Sequence, residues 1–151
     1  MTDNAPLLAV ALPLVKREES CRLVAYPDPL TGKEPWTVGW GQTGPNVGPE
    51  TAISQAQADS WLLSKVLSVI GDLDREHPWW RSLNLPRQAV LVSMAYQMGE
   101  AGLDGFKNTL AAIEGGYYAL ASAKMLMSAW AKQTPNRAAR EAAIMKSGVI
   151  A

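Results

Sequence analysis

The chain carries two carboxyl-bearing positions within a short stretch: the pair Glu18-Glu19, and Asp28 after Tyr26-Pro27. A glycoside hydrolase needs such a pair: one carboxylic acid protonates the leaving oxygen, and a second carboxylate acts on the other side of the bond. The acid would stand at the end of a helix and the second carboxylate on the turn entering a small sheet. Taken singly, these residues are ordinary. A glutamate at a helix end is normally solvated, an aspartate beside proline is a turn former, and Thr37 is a common strand residue. Helical phase does not separate Glu18 from Glu19, because Pro13 disturbs the stripe and leaves both on plausible faces.

The other reactive side chains invite plainer readings. His77 stands alone in Glu-His-Pro at a helix end and reads as a surface histidine. No His/Cys/Asp cluster has metal-ligand spacing, so neither a metal nor a cofactor is expected. Cys21, the single cysteine, excludes an internal disulfide and reads as a small buried residue. Six tryptophans are more than packing usually needs in 151 residues. Sugar-binding clefts use such rings, but Trp61, Trp79, Trp80 and Trp130 read as core anchors. Trp36 and Trp40 alternate along one strand and would share a face, core or cleft. Fourteen basic and fourteen acidic residues give zero formal net charge, and the cations are scattered. That argues against nucleic acid as a partner.

Stepping outward, the elements that must position these groups fall into an α+β arrangement. Pro13 suits the first turn of a helix running to about Ser20. Residues 21–53, rich in Pro, Gly and Thr, predict a small sheet of two or three strands. Ser54 and Gln57 form a capping-box pattern ahead of a helix of about 20 residues, whose ~30 Å length could join two lobes. A helix from Pro86, apolar on every side, predicts the buried centre of a second lobe, with Gly99 placed to end it. Further helices are expected around 106–114, 117–131 and 135–147, the last with Thr134 as N-cap and Pro135 in its first turn. The chain reads as one domain: a helix and sheet over about 14–53, a linking helix over 54–77 and a helical lobe over 78–151. The apolar run Ala5–Val15 is too short to span a membrane, and Asp3 precedes it where a secretion signal carries positive charge.

The combination of residues goes further than any one of them. Glu19, Arg22-Leu23, Tyr26-Pro27-Asp28 and Trp36-Thr37-Val38-Gly39-Trp40-Gly41 resemble the N-terminal signature of phage lysozymes of glycoside hydrolase family 24. A second block resembles the same family: Tyr96-Gln97-Met98-Gly99-Glu100, Gly105-Phe106, Asn108, Trp130 and Gln133-Thr134-Pro135-Asn136-Arg137-Ala138. The two blocks keep the family order over roughly residues 14–148. The resemblance implies a lysozyme-like α+β fold, with a small antiparallel sheet lobe joined by a long helix to a mainly helical lobe. It implies hydrolysis of the β-1,4 bond between N-acetylmuramic acid and N-acetylglucosamine in peptidoglycan glycan strands.

Roles follow from that resemblance position by position. It selects Glu19 over Glu18 as the catalytic acid and leaves Glu18 as a surface neighbour. Asp28 matches the second carboxylate and Thr37 the hydroxyl that helps hold the attacking water. Arg137 matches an arginine that pairs with the acid and orients it, although such a cation also favours the acid's charged form. Substrate contacts fall on Thr43, Tyr96, Gln97, Thr109 and Lys124. The family setting implies a monomer made in the host cytoplasm, without stable membrane insertion, that reaches the periplasm when a holin opens the way. Three departures stand out. Ser20 replaces a glycine after the acid, which is tolerable if its φ stays negative. The loop between Asp28 and Thr37 is longer. Gln42 replaces a histidine, so any ion pair made there is absent. Neutral charge also predicts weaker attraction to an anionic wall than in a basic relative. Two rivals fit the same residues: a lytic transglycosylase, which needs the acid but not the water clamp, and a non-catalytic wall-binding protein that kept the fold.

Overall fold

The computed structural model describes residues 3–151. Helix α1 spans Ala5–Glu19, eight residues earlier than Pro13 suggested. Asp3 accepts the Ala5 N–H at 2.9 Å, and Pro6 occupies the first turn, where its missing N–H costs nothing. Pro13 therefore lies inside the helix. The apolar stripe Leu7, Ala11, Leu14 and Val15, all buried, is continuous across it and keeps the helix packed on the core despite the lost backbone bond. The Ala5–Val15 run thus supplies the buried stripe of a core helix, with Ala5, Pro6, Ala9 and Pro13 exposed. No helix among the described residues is long and apolar enough to cross a membrane.

Strands β1 (Arg22–Tyr26) and β2 (Thr37–Gly39) pair antiparallel, with Arg22 opposite Gly39, Tyr26 opposite Thr37 and an irregularity between. The chain returns along the other side of β1 through an isolated bridge between Val24 and Ala52, which is as near as the described residues come to a third strand there. Helix α2 (Gln55–Glu76) begins where the Ser54 hydroxyl accepts the Gln57 N–H. Its 22 residues reach about 33 Å and touch both the sheet and the helix that follows.

A short 3₁₀ turn at Pro78–Ser82 leads into α3 (Leu85–Asp104). Residues 88–96 of α3 are buried on all sides, as an all-round apolar helix requires. Gly99, at φ 78 and ψ 168, breaks the helix where expected, and one more turn follows it. Helices α4 (Lys107–Glu114), α5 (Tyr118–Leu126), α6 (Ala129–Gln133) and α7 (Pro135–Ser147) complete the chain. The single helix expected over 117–131 is therefore two: Ser128 interrupts it and caps α6 by accepting the Ala131 N–H. Thr134 does not cap α7 with its side chain; its hydroxyl donates back to the Trp130 carbonyl instead.

The fold is α+β and lysozyme-like in arrangement, mostly helical with one small antiparallel sheet. One apolar cluster unites α1, α2, α3 and the C-terminal helices around Trp80, Leu91, Met94 and Met145. Helix α1 packs along α3, so it belongs with the helical lobe rather than with the sheet it precedes. The sheet lobe buries little more than Ala25 and Val38, and the first three residues of β1 are exposed.

Candidate active site

Glu19 is the last residue of α1, directed across the molecule by a cation from the other end of the chain. Arg137, in the first turn of α7, donates Nη1–H to Glu19 Oε2 at 2.7 Å. Its Nη2 donates to the Ser93 carbonyl and hydroxyl of α3 at 3.0 and 2.9 Å. The guanidinium is buried and the Glu19 carboxyl keeps 14% of its side-chain surface exposed. On the sheet side, Gly41 at φ +82 closes against the acid: a Cβ there would stand 2.9 Å from Glu19 Oε1. Only glycine supplies both that backbone conformation and that space.

Ser20 follows the acid at φ 57 and ψ 155, so the condition of negative φ is not met. That region is almost reserved for glycine, and a serine held there stores on the order of 1–3 kcal/mol. Glu18 also departs from expectation. Its side chain is 1% exposed and forks onto Arg140 of α7, with Arg140 Nη2 and Nε at 2.6 and 2.9 Å. Burial pushes its pKa up, but the Arg140 hydrogen bond and charge, helped by Arg17 and Arg137, win and hold it below the ordinary carboxylate value. Two adjacent glutamates are thus tied to two arginines of one helix.

Asp28 and Thr37 stand on the sheet lobe. Thr37 pairs across the hairpin with Tyr26, two positions before Asp28, which brings their backbones to the same end of the sheet. The longer loop between them folds back on Asp28: backbone bonds join Asp28 N–H to Lys33 O and Gly32 N–H to Asp28 O at 2.9 and 2.8 Å. Thr31 Oγ1 donates to Asp28 Oδ2 at 3.2 Å. Both Asp28 and Thr37 are half-buried.

The expected substrate contacts scatter. Thr43 is exposed. Tyr96 is 2% exposed; its hydroxyl accepts from Gln42 Nε2 at 2.8 Å and donates to the Trp40 carbonyl. Burial, reinforced by the Glu19 charge, raises its pKa. Such a ring joins the helical lobe to the sheet lobe through Gln42 and Trp40. Gln42 spends its amide on this bond rather than on an ion pair. Gln97 accepts the Trp130 indole N–H at 2.8 Å. Thr109, itself buried, and Lys124 line a cavity of about 500 Å³ that also holds Phe106, Asn108 and Trp130.

The remaining tryptophans divide. Trp80 and Trp130 are core residues and Trp79 packs against the core, but Trp61 is only half-buried. Trp36 and Trp40 flank a three-residue strand instead of sharing it: Trp40 packs on the core and donates to Asp59 at 2.8 Å. Trp36 instead lines a surface hollow beside the Asp28 loop. Cys21 is half-buried, and His77 is paired with Asp104 at 2.7 Å. Glu76, Glu100 and Asp104 bring three carboxylates within 4.8 Å at the end of α2, but Arg75 pairs with Glu76 and Glu100, and His77 Nε2 meets Asp104 at 2.7 Å.

Several site residues carry no motif of their own. Lys65 of α2 lies over the Tyr96 ring at 4.1 Å; burial lowers its pKa against the opposing pull of Glu19. Glu141 of α7 is fully buried, with Oε2 3.5 Å from Arg137 Nε. Only its i, i+4 spacing from Arg137 was visible in advance.

The phage lysozyme family profile matches residues 16–143, most of the chain. A probable T4-type lysozyme of Dictyostelium discoideum is 30% identical over 105 residues, covering 67% of this chain and 61% of its own length. The pre-baseplate central spike protein Gp5 of Enterobacteria phage T4 is 28% identical over an alignment covering 97% of this chain and 29% of that protein. An endolysin of Lactococcus phage c2 is 47% identical over 51 residues, 34% of this chain and 21% of its own. The chain thus spans less than two thirds of the length of each of these relatives. With the signature blocks in order on a lysozyme-like α+β fold, the chain belongs to the phage lysozyme family.

Proposed function

We propose that the protein is a muramidase, hydrolysing the β-1,4 bond between N-acetylmuramic acid and N-acetylglucosamine in bacterial peptidoglycan. Membership in the phage lysozyme family supports a glycosidase activity. The observation that carries the finer reading is the fixing of Glu19. Arg137 orients one carboxyl oxygen and Gly41 packs against the other, leaving the group partly open at the meeting of sheet and helical lobes.

In this mechanism Glu19 protonates the leaving glycosidic oxygen. Asp28 and Thr37 orient a water on the opposite face of the sugar, and its attack inverts the anomeric centre. Inversion needs a gap of about 6.5–9.5 Å between the carboxyls to admit that water, against about 5–5.5 Å for a retaining route. Thr43, Tyr96, Gln97, Thr109 and Lys124 are the contacts to the glycan, Thr109 and Lys124 from the wall of one cavity. The setting is lysis of a host cell, the enzyme passing from cytoplasm to periplasm when a holin opens the membrane.

Glu19→Gln should lower turnover on purified peptidoglycan by roughly 10²–10⁴-fold, the usual share of general acid catalysis. Mass spectrometry of the digest should find reducing-end muropeptides. Anhydro products would instead identify a lytic transglycosylase, and full wall clearing by Glu19→Gln would sink the assignment.

A further inference from the structure

Arg137 faces two carboxylates and can neutralise only one. Glu19 takes Nη1 at 2.7 Å; Glu141, one turn along α7, stands 3.5 Å from Nε. Glu141 has no solvent-exposed surface. Neither of its oxygens has a hydrogen-bond partner among the described residues, nor has Arg137 Nε. A buried carboxyl with no partner is costly unless it has a use or is kept neutral. The neighbouring pair offers no such slack, since Glu18 already satisfies Arg140 with both oxygens.

A general acid beside a guanidinium is in difficulty, because the cation favours loss of the proton that the acid must deliver. A second anion behind the same guanidinium relieves that pull. We infer that Glu141 is a positioning residue for the reaction: buried behind Arg137, it competes with Glu19 for the guanidinium charge and lets the cleft acid keep its proton. This rests on the reading of Glu19 as the proton donor.

The charged and polar groups facing Glu141 are Arg137 and Arg140 on its own helix, Glu18 of α1 and Ser93 of α3. Burial drives its pKa up to about 7, Arg137 and Ser93 oppose this only in part, and the Glu18 charge adds to the rise. Glu141 therefore changes charge close to neutrality. The productive state is the one in which Glu141 carries its charge behind Arg137 and Glu19 carries the proton to be delivered.

Two measurements separate this proposal from the catalytic reading. The pH dependence of kcat/KM should be recorded for the intact protein and for Glu141→Gln and Glu141→Val. The descending limb should move to lower pH by about one unit, with roughly tenfold loss on its alkaline side and little change on the acid plateau. A loss equal at every pH would mean a merely structural role and would overturn the proposal. Independently of turnover, the Glu141 carboxyl should be titrated by carbon-13 NMR in the intact protein and in Glu19→Gln. Coupling is reciprocal, so its midpoint should fall by about one unit in the variant, and an unmoved midpoint refutes the link. If Glu19→Gln retained wall-clearing activity, the catalytic reading would fail while the NMR titration still decided the coupling.

Discussion

The two sides of the proposed cleft are built in opposite ways. Glu19 is held from a distance, by Arg137 118 positions away, and by Ser93 and Glu141 behind that arginine. Asp28 is held by its own loop, through Thr31, Gly32 and Lys33. One side is buried in a core shared by α1, α3 and α7; the other lies on a sheet whose first strand is mostly exposed. In the proposed mechanism the acid must be kept in a fixed orientation, which takes desolvated partners. The second carboxylate in that mechanism only orients water, a task for which a local turn suffices.

Perturbing the two sides should therefore have unequal consequences. Arg137→Ala should be the most damaging, because it strands buried carboxyls without their cation. A stability loss of about 3–5 kcal/mol is expected in urea unfolding at pH 7, and a value under 1 would mean that the guanidinium contributes little to holding the acid side together.

Glu141 should next leave its mark on the pH dependence of stability. Its folded pKa of about 7 lies above the ordinary 4.5, so the folded state holds the proton more tightly than the unfolded one. The associated stability is complete below about pH 4.5 and drains away as pH rises through 7. At about 1.36 kcal/mol per pH unit the total is roughly 3 kcal/mol. Thermal unfolding of Glu141→Gln should lack that downward slope. Glu18, with its pKa lowered, works in the other direction: its contribution is present above the ordinary value and is lost as the solution is acidified.

Ser20→Gly should stabilise the protein by about 1 kcal/mol, the relief of positive φ being partly offset by the freer unfolded chain. Its melting temperature should rise with activity kept; a fall would mean that the serine side chain contributes something the backbone geometry does not show. The smallest effect belongs to the local side. Thr31→Ala removes one exposed hydrogen bond to Asp28 and should cost under about 1 kcal/mol, with turnover changed only a few-fold. A hundredfold loss would place Asp28 under the control of its loop as firmly as Glu19 is under that of Arg137.

Local chemistry marked out much of this protein in advance. Ser54 and Gln57 announced α2, the unbroken apolar face from Ala89 to Tyr96 announced the centre of the helical lobe, and Gly99 announced its break. Such signals act within a turn or two of the chain, so they survive without tertiary context. Pro13 misled for the complementary reason: its local cost was overridden by the packing of Leu7, Ala11, Leu14 and Val15 on α3. Glu19, Asp28, Thr37 and Arg137 were recognisable as a set only through their order along the chain, since each alone is an ordinary residue. What only the folded chain decided is the set of partners around Glu19. Helix phase could not tell Glu18 from Glu19, yet the meeting of the end of α1 with the arginines of α7 gave one a closed pair with Arg140 and the other a guanidinium shared with Glu141. Ser20 at positive φ and Gly41 against Oε1 belong to the same class. Burial and through-space charge depend on neighbours more than a hundred positions away, and no local pattern in the amino-acid order records them.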